Sequence, residues 1–130
     1  MAADKNNDNK TFSETLKKRI YQFVLDLVKF IEALPKNDDL NKVVRSQLLR
    51  SGTSIGANYI EAIAGSSEKD FVNFLSHGLK SANESKFWLA LLRDTGKGDR
   101  IVINMLLKEL TEIANILTSS IRTMRMKRDK

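Results

Sequence analysis

The 130-residue chain has no cysteine, a single histidine and a single proline. The lack of cysteine excludes a disulfide framework and thiolate metal sites, and His77 alone leaves almost no imidazole for zinc or a catalytic triad. Cytoplasmic residence is therefore expected, and the polar opening MAADKNNDNK stands where a secretory signal would be apolar. No apolar run approaches the roughly 20 residues that cross a bilayer, so a soluble protein without a membrane partner is expected. Pro35 and six glycines are the main interruptions, so few turns and few strands are expected. The length suits one domain, since domains of roughly 100 to 150 residues can bury a real core. The 22 Lys and Arg against 16 Asp and Glu leave a net charge of +6. With a pI near 9.7, that charge invites a nucleic-acid or acidic-lipid partner, although net charge bears on solubility and non-specific binding rather than on function.

Helical periodicity runs through almost all of the chain. Leu16, Ile20, Phe23, Leu27, Phe30, Ile31 and Leu34 advance by threes and fours, which predicts a first helix from an N-cap at Ser13 to Leu34, ended by Pro35. A second helix is predicted from Asp38 or Asp39 through Leu40, Val44, Leu48, Ile55 and Ala62, with Gly65 ending it in the left-handed conformation. Ser67 then caps a third helix carrying Phe71, Leu75, Gly78, Ala82, Ser85, Leu89 and Leu92, terminated at Thr95-Gly96-Lys97-Gly98-Asp99. The fourth runs from about Asp99 through Val102, Leu106, Leu110, Ile113, Leu117, Ile121 and Met124. Four such helices with short connections make an all-α, antiparallel up-down-up-down four-helix bundle over residues 13–126. Residues 1–12 are expected to be a disordered polar segment, and residues 127–130 a basic tail.

One face of the second helix does not look like core. Gln47, Ser51, Ser54, Asn58 and Glu61 recur at core-like spacing, and Ser81 and Glu84 form a partial counterpart on the third helix. Burying such groups without partners costs about 1 to 3 kcal/mol each, so they must bond one another or water. Two uses are open for them: a polar network that sets helix register within the bundle or between subunits, or a face presenting Arg50 and Asn58 to a ligand. Gly52 and Gly56 each cost roughly 0.5 to 1 kcal/mol relative to alanine in a helix, which points to a close backbone approach, with Gly78, Ala82 and Ser85 as a groove to match.

The run QLLRSGTSIGANYIEA at 47–62, followed by Lys69-Asp70-Phe71 and by Ser81-Ala82-Asn83-Glu84, resembles the bacterial four-helix bundle proteins named for ribosomal RNA intervening sequences. Their pattern is Q-x-x-R-(S/A)-x-x-S-I-x-A-N-I-x-E-(G/A), and the likeness extends from about Lys18 to Met124; Tyr59 stands where Ile is more frequent and Ala62 where Gly is common. The resemblance implies an antiparallel bundle assembled as a homopentameric ring with a central channel, in a family whose biochemical role is not established. A structurally related group, the accessory proteins of diversity-generating retroelements, implies by fold analogy a reverse transcriptase and its nucleic acid as alternative partners.

Catalytic arrangements find little support. A di-iron bundle needs Glu-x-x-His pairs, and the residue three before His77 is Phe74; an Arg-x-x-x-x-His ribonuclease motif fails because Val72 stands five before it. Glu61 and Glu84 could pair as carboxylates, but Arg50 on the same face makes an ion-pair network the expected outcome. Gly96-Lys97-Gly98 is a turn with no strand before it, not a phosphate loop. No catalytic residue, cofactor or metal ligand is assigned. The remaining chemistry is electrostatic: Arg122, Arg125, Lys127, Arg128 and Lys130 oppose only Asp129 at the C-terminus, while Lys17, Lys18 and Arg19 on the first helix are expected to share that end of the bundle. Around a ring these charges would form a basic rim for the phosphates of RNA or DNA. The expected protein is thus a non-enzymatic oligomeric scaffold or adaptor, with a pure protein-interaction module as a further alternative.

Overall fold

The three-and-four spacing of apolar side chains is realised as four α-helices, with no strand among the described residues. A computed structural model describes residues 2–128, with side chains over residues 7–127. The helices are α1 (Ala2–Ala33), α2 (Asp39–Ala64), α3 (Glu68–Asp94) and α4 (Arg100–Arg128). Each packs on its neighbours in sequence and α1 closes against α4, while α1 and α3, like α2 and α4, lie across the diagonal. This is the antiparallel up-down-up-down four-helix bundle. The contact between α2 and α3 is the most extensive and that between α1 and α4 the thinnest.

The core is built from the expected stripes. Ile20, Phe23, Leu27, Leu48, Ile55, Leu75, Leu89, Leu110, Ile113 and Leu117 are all fully buried, and each such side chain contributes about 1.5 to 3 kcal/mol relative to exposure. Helix ends are satisfied by side chains at the two-loop end of the bundle. Arg45 Nη1 donates to the Ile31 carbonyl and, at 2.9 Å, to that of Leu34, closing the C-terminus of α1 before Pro35. Asp38 caps α2 by accepting the Asn41 N–H at 3.0 Å, and its other oxygen accepts from Lys97 Nζ at 2.7 Å, tying the first loop to the third. The Lys97 hydrogen bond and the Asn41 amide hold the Asp38 carboxyl below its usual range. Ser67 caps α3 through the Asp70 N–H, and Asp99 caps α4 through those of Ile101 and Val102. Gly96 and Gly98, at φ 72° and 77°, supply the left-handed backbone of the loop between them.

Four local features differ from the sequence-based expectation. First, α1 begins at Ala2 and runs through Ser13, which is interior to the helix; its carbonyl accepts from the buried Tyr59 hydroxyl at 3.2 Å. No proline or glycine interrupts residues 2–12, and the segment lies beside the last turns of α4, where Asn9, Phe12, Ser119 and Thr123 line a common groove. Second, Lys127 and Arg128 belong to α4 rather than to a separate tail, because nothing in MRMKR breaks a helix; Asp129 and Lys130 lie outside the described residues. Third, Gly65 leaves α2 in extended geometry, φ −64° and ψ 147°, not left-handed. Its small size matters for another reason: a Cβ there would lie 3.2 Å from the Ala62 carbonyl oxygen and 3.3 Å from Asp70 Cβ.

Finally, Gly52 and Gly56 face α1, not α3. A Cβ on Gly52 would collide with Leu27 Cδ2, and Leu27 is itself fully buried and cannot swing aside. A Cβ on Gly56 would meet Val24 and Ile20 at 3.7 and 3.8 Å, ordinary contact distances. The two glycines therefore respond oppositely. In urea or thermal denaturation, Gly52→Ala loses about 1 to 3 kcal/mol from overpacking, whereas Gly56→Ala gains about 0.5 to 1 kcal/mol from helix propensity.

Candidate functional site

Small side chains let α2 and α3 approach closely, and the polar residues of their facing stripes meet in a ladder. At its deepest point Ser51 Oγ and Ser85 Oγ share a hydrogen bond of 2.8 Å, with both residues buried; Ser85 also donates to the Ser81 carbonyl at 2.9 Å. One rung along, Ser81 donates to Ser54 Oγ at 2.8 Å, and Asn58 Nδ2 donates to the same oxygen at 2.9 Å and to the Ser54 carbonyl at 2.9 Å. Towards the solvent, Arg50 Nη2 reaches both Glu84 carboxylate oxygens at 3.1 Å and Gln47 Oε1 at 2.9 Å. Gly78 closes the other end, where a Cβ would touch Asn58 Cβ at 3.6 Å.

The ladder joins Gln47, Arg50, Ser51, Ser54 and Asn58 of α2 to Ser81 and Glu84 of α3. Glu61 is not part of it. Ser51 lies level with Ser85 and Ser54 with Ser81, so Glu61 is displaced from the level of Glu84 by some ten residues, about 15 Å at ~1.5 Å per residue. The two carboxylates therefore do not pair, and Glu61 is exposed. Ser85 belongs to the ladder although its position on the apolar stripe of α3 reads as core; the signal was its four-residue step from Ser81. His77 and Lys80, also outside the expected set, line a recess over the ladder, one turn along α3 from Ser81 and Glu84.

The basic residues divide between two levels. Arg19 donates from Nε to Glu109 at 2.7 Å and from Nη2 to Glu109 at 2.6 Å and to Glu112 at 2.8 Å, a forked arrangement joining α1 to α4. Arg122 lies ten residues beyond Glu112, about 15 Å further along α4 at ~1.5 Å per residue. Because α1 starts at Ala2, Lys17, Lys18 and Arg19 occupy its middle, and they do not share an end with the C-terminal cluster. Lys17 and Lys18 are exposed, as are Arg122, Arg125 and Lys127; the side chain of Arg128 and all of Lys130 lie outside the described residues.

A third feature is apolar. Tyr21 and Leu25 on α1, with Ile60, Gly56 and Ala57 on α2, line an outward-facing groove of about 670 Å³. Thr53, Gly56 and Ile60 form the α2 side at spacings of three and four, and Leu49 stands one turn before Thr53 on the same face of the helix. Tyr21 is 66 % exposed, Ile60 43 % and Leu49 42 %.

The Arg19 fork makes a pH-dependent contribution. Its hydrogen bond holds the Glu109 carboxyl below its ordinary value of 4.5, so the unfolded chain binds more protons as pH falls through that region. The stabilisation is fully present above pH 4.5 and is lost as pH falls through the lower folded-state value. Partial exposure limits it to about 1 kcal/mol. Denaturant titrations from pH 6 to 3 are expected to show a steeper loss for the wild type than for Arg19→Gln.

Residues 14–119 match the family described as 23S rRNA-intervening sequence protein. No curated protein matches the chain. Among solved structures, a protein of unknown function from the S23 ribosomal protein family of Bacteroides thetaiotaomicron is 37 % identical and superimposes with a TM-score of 0.77 over 85 % of this chain and 97 % of that one. The match spans all four helices and includes both sides of the hydroxyl ladder, and the chain belongs to the 23S rRNA-intervening sequence protein family.

Proposed function

We propose that the protein is a non-enzymatic cytoplasmic scaffold that assembles into a ring, and that the apolar groove between α1 and α2 is an assembly surface. The observation carrying this reading is the exposure of Tyr21, Leu25, Leu49 and Ile60 on one face, next to the hollow left by Gly56 and Ala57. Large apolar side chains clustered on one face mark interaction sites more often than chance exposure. Ile101 and Met105, 74 % and 67 % exposed on α4, provide a different apolar surface to seat there. Contact between two unlike surfaces is heterologous and closes into a ring when the rotation permits. Five subunits are the number that the family resemblance implies.

In this reading the exposed Arg122, Arg125 and Lys127 of each protomer gather at one side of the ring. They offer a multivalent basic rim to the phosphates of RNA or DNA.

Light scattering after size exclusion tests the assembly. The wild type is expected at about five times the 14.7 kDa chain mass, and Ile60→Glu or Tyr21→Glu at the monomer mass with unchanged helical circular dichroism. A monomeric wild type at micromolar concentration would overturn the ring. For the rim, log affinity for a duplex should fall linearly with log salt, and replacing Arg122, Arg125 and Lys127 by Gln should reduce the slope by about 1 per neutralised contact. An unaltered slope removes these residues from the interface.

A further inference from the structure

We propose that the recess over the α2–α3 hydroxyl ladder is a phosphate-binding site. It has a volume of about 340 Å³, at the small end of the range of roughly 300 to 1,000 Å³ typical of ligand pockets, and it is separate from both the apolar groove and the basic end of α4. Small residues create it. Ser54 and Ser81 form the floor, so the larger groups around them stand as walls.

The hydrogen-bond accounting of the floor and walls leaves donors facing the recess. Ser54 Oγ already accepts from Ser81 and from Asn58, and its own proton has no acceptor among the described residues. Arg50 is anchored through Nη2 alone, and its Nη1 and Nε hydrogens, which point to different edges of the guanidinium, have no partner among the described residues. Glu84 holds it in place and is neutralised by it, so the pair brings no net charge. Lys80, exposed on the same wall, then leaves the recess net positive. His77 adds a further ring nitrogen at the Asn58 end.

These groups select the ligand class. A guanidinium, an ammonium and a hydroxyl proton lining one small volume suit a tetrahedral oxyanion with several acceptor oxygens. Asn58 Oδ1, without a partner among the described residues, can accept the hydroxyl of a protonated phosphate or phosphate ester. A divalent cation is poorly served, since the one carboxylate is engaged by Arg50, and an apolar ligand would strand the polar walls. The shared chemistry is the phosphate group, supplied either by a small phosphorylated molecule or by a polynucleotide backbone.

Equilibrium titrations of the full chain with inorganic phosphate, a nucleoside monophosphate and a labelled single-stranded oligonucleotide test the site. Saturable phosphate binding is expected, weakened about tenfold by Lys80→Gln and at least as much by Arg50→Gln, as loss of one charge-assisted contact implies. The Arg122, Arg125 and Lys127 triple Gln variant should retain it in full. Lys80 has no ion-pair partner among the described residues, so Lys80→Gln keeps the test valid if Arg50→Gln fails to fold. Oligonucleotide binding that weakens with Lys80→Gln and is displaced by phosphate assigns the recess to a polynucleotide backbone. Phosphate and monophosphate binding without that effect assigns it to small phosphorylated molecules. No saturable phosphate binding by the wild type, or binding that survives both recess variants and disappears in the α4 triple variant, overturns the proposal.

Discussion

The close approach of α2 and α3, secured by hydroxyls rather than by hydrocarbon, is the constraint on which the rest of the molecule depends. Ser51 and Ser85 bond each other in the core, so a slip of either helix would break that bond, at about 0.5 to 1.5 kcal/mol, and leave the buried Ser51 hydroxyl only the long 3.4 Å contact with the Leu48 carbonyl of its own helix. Apolar contact alone is tolerant of sliding, whereas a directional bond of 2.8 Å is not. That fixed register sets Ser54 opposite Ser81 and Arg50 opposite Glu84, and so creates the recess above them. It also aims the opposite flank of α2, with Gly52 and Gly56, at α1.

Around this seam the bundle is asymmetric. The first and third loops are latched by Lys97 and Asp38, and Arg45 closes α1 from below, so two cations that a charge count would offer to a partner are spent on holding helix ends. Arg19 is spent likewise on Glu109 and Glu112. The net positive charge that stays exposed is therefore not spread evenly, and the C-terminal turns of α4 carry a concentrated share of it.

The apolar inventory shows a comparable division. The stripes that fill the core leave Tyr21, Leu25, Leu49 and Ile60 outside it on α1 and α2, and Ile101 and Met105 on α4. These are separate surfaces, so a contact between them in two copies need not be self-complementary. That distinction bears on ring formation as opposed to a two-fold dimer.

The sequence by itself determined the four helices, most of their caps and the buried stripes, because each follows from local periodicity and from residues such as Ser67 and Pro35 that act on their neighbours. It also singled out the polar stripe, because hydroxyls and amides at core spacing are costly unless paired. What it could not contain was level. Whether Glu61 or Ser85 joins the ladder depends on the vertical offset of two helices, and whether Lys17 to Arg19 lie at an end depends on how far α1 continues. That extension is permitted by residues 2–12 but accompanied by the neighbouring turns of α4. Only the tertiary structure decided which cations are occupied, which face each glycine serves and where the recess opens, since each is a relation between residues distant in sequence that packing brings to the same height.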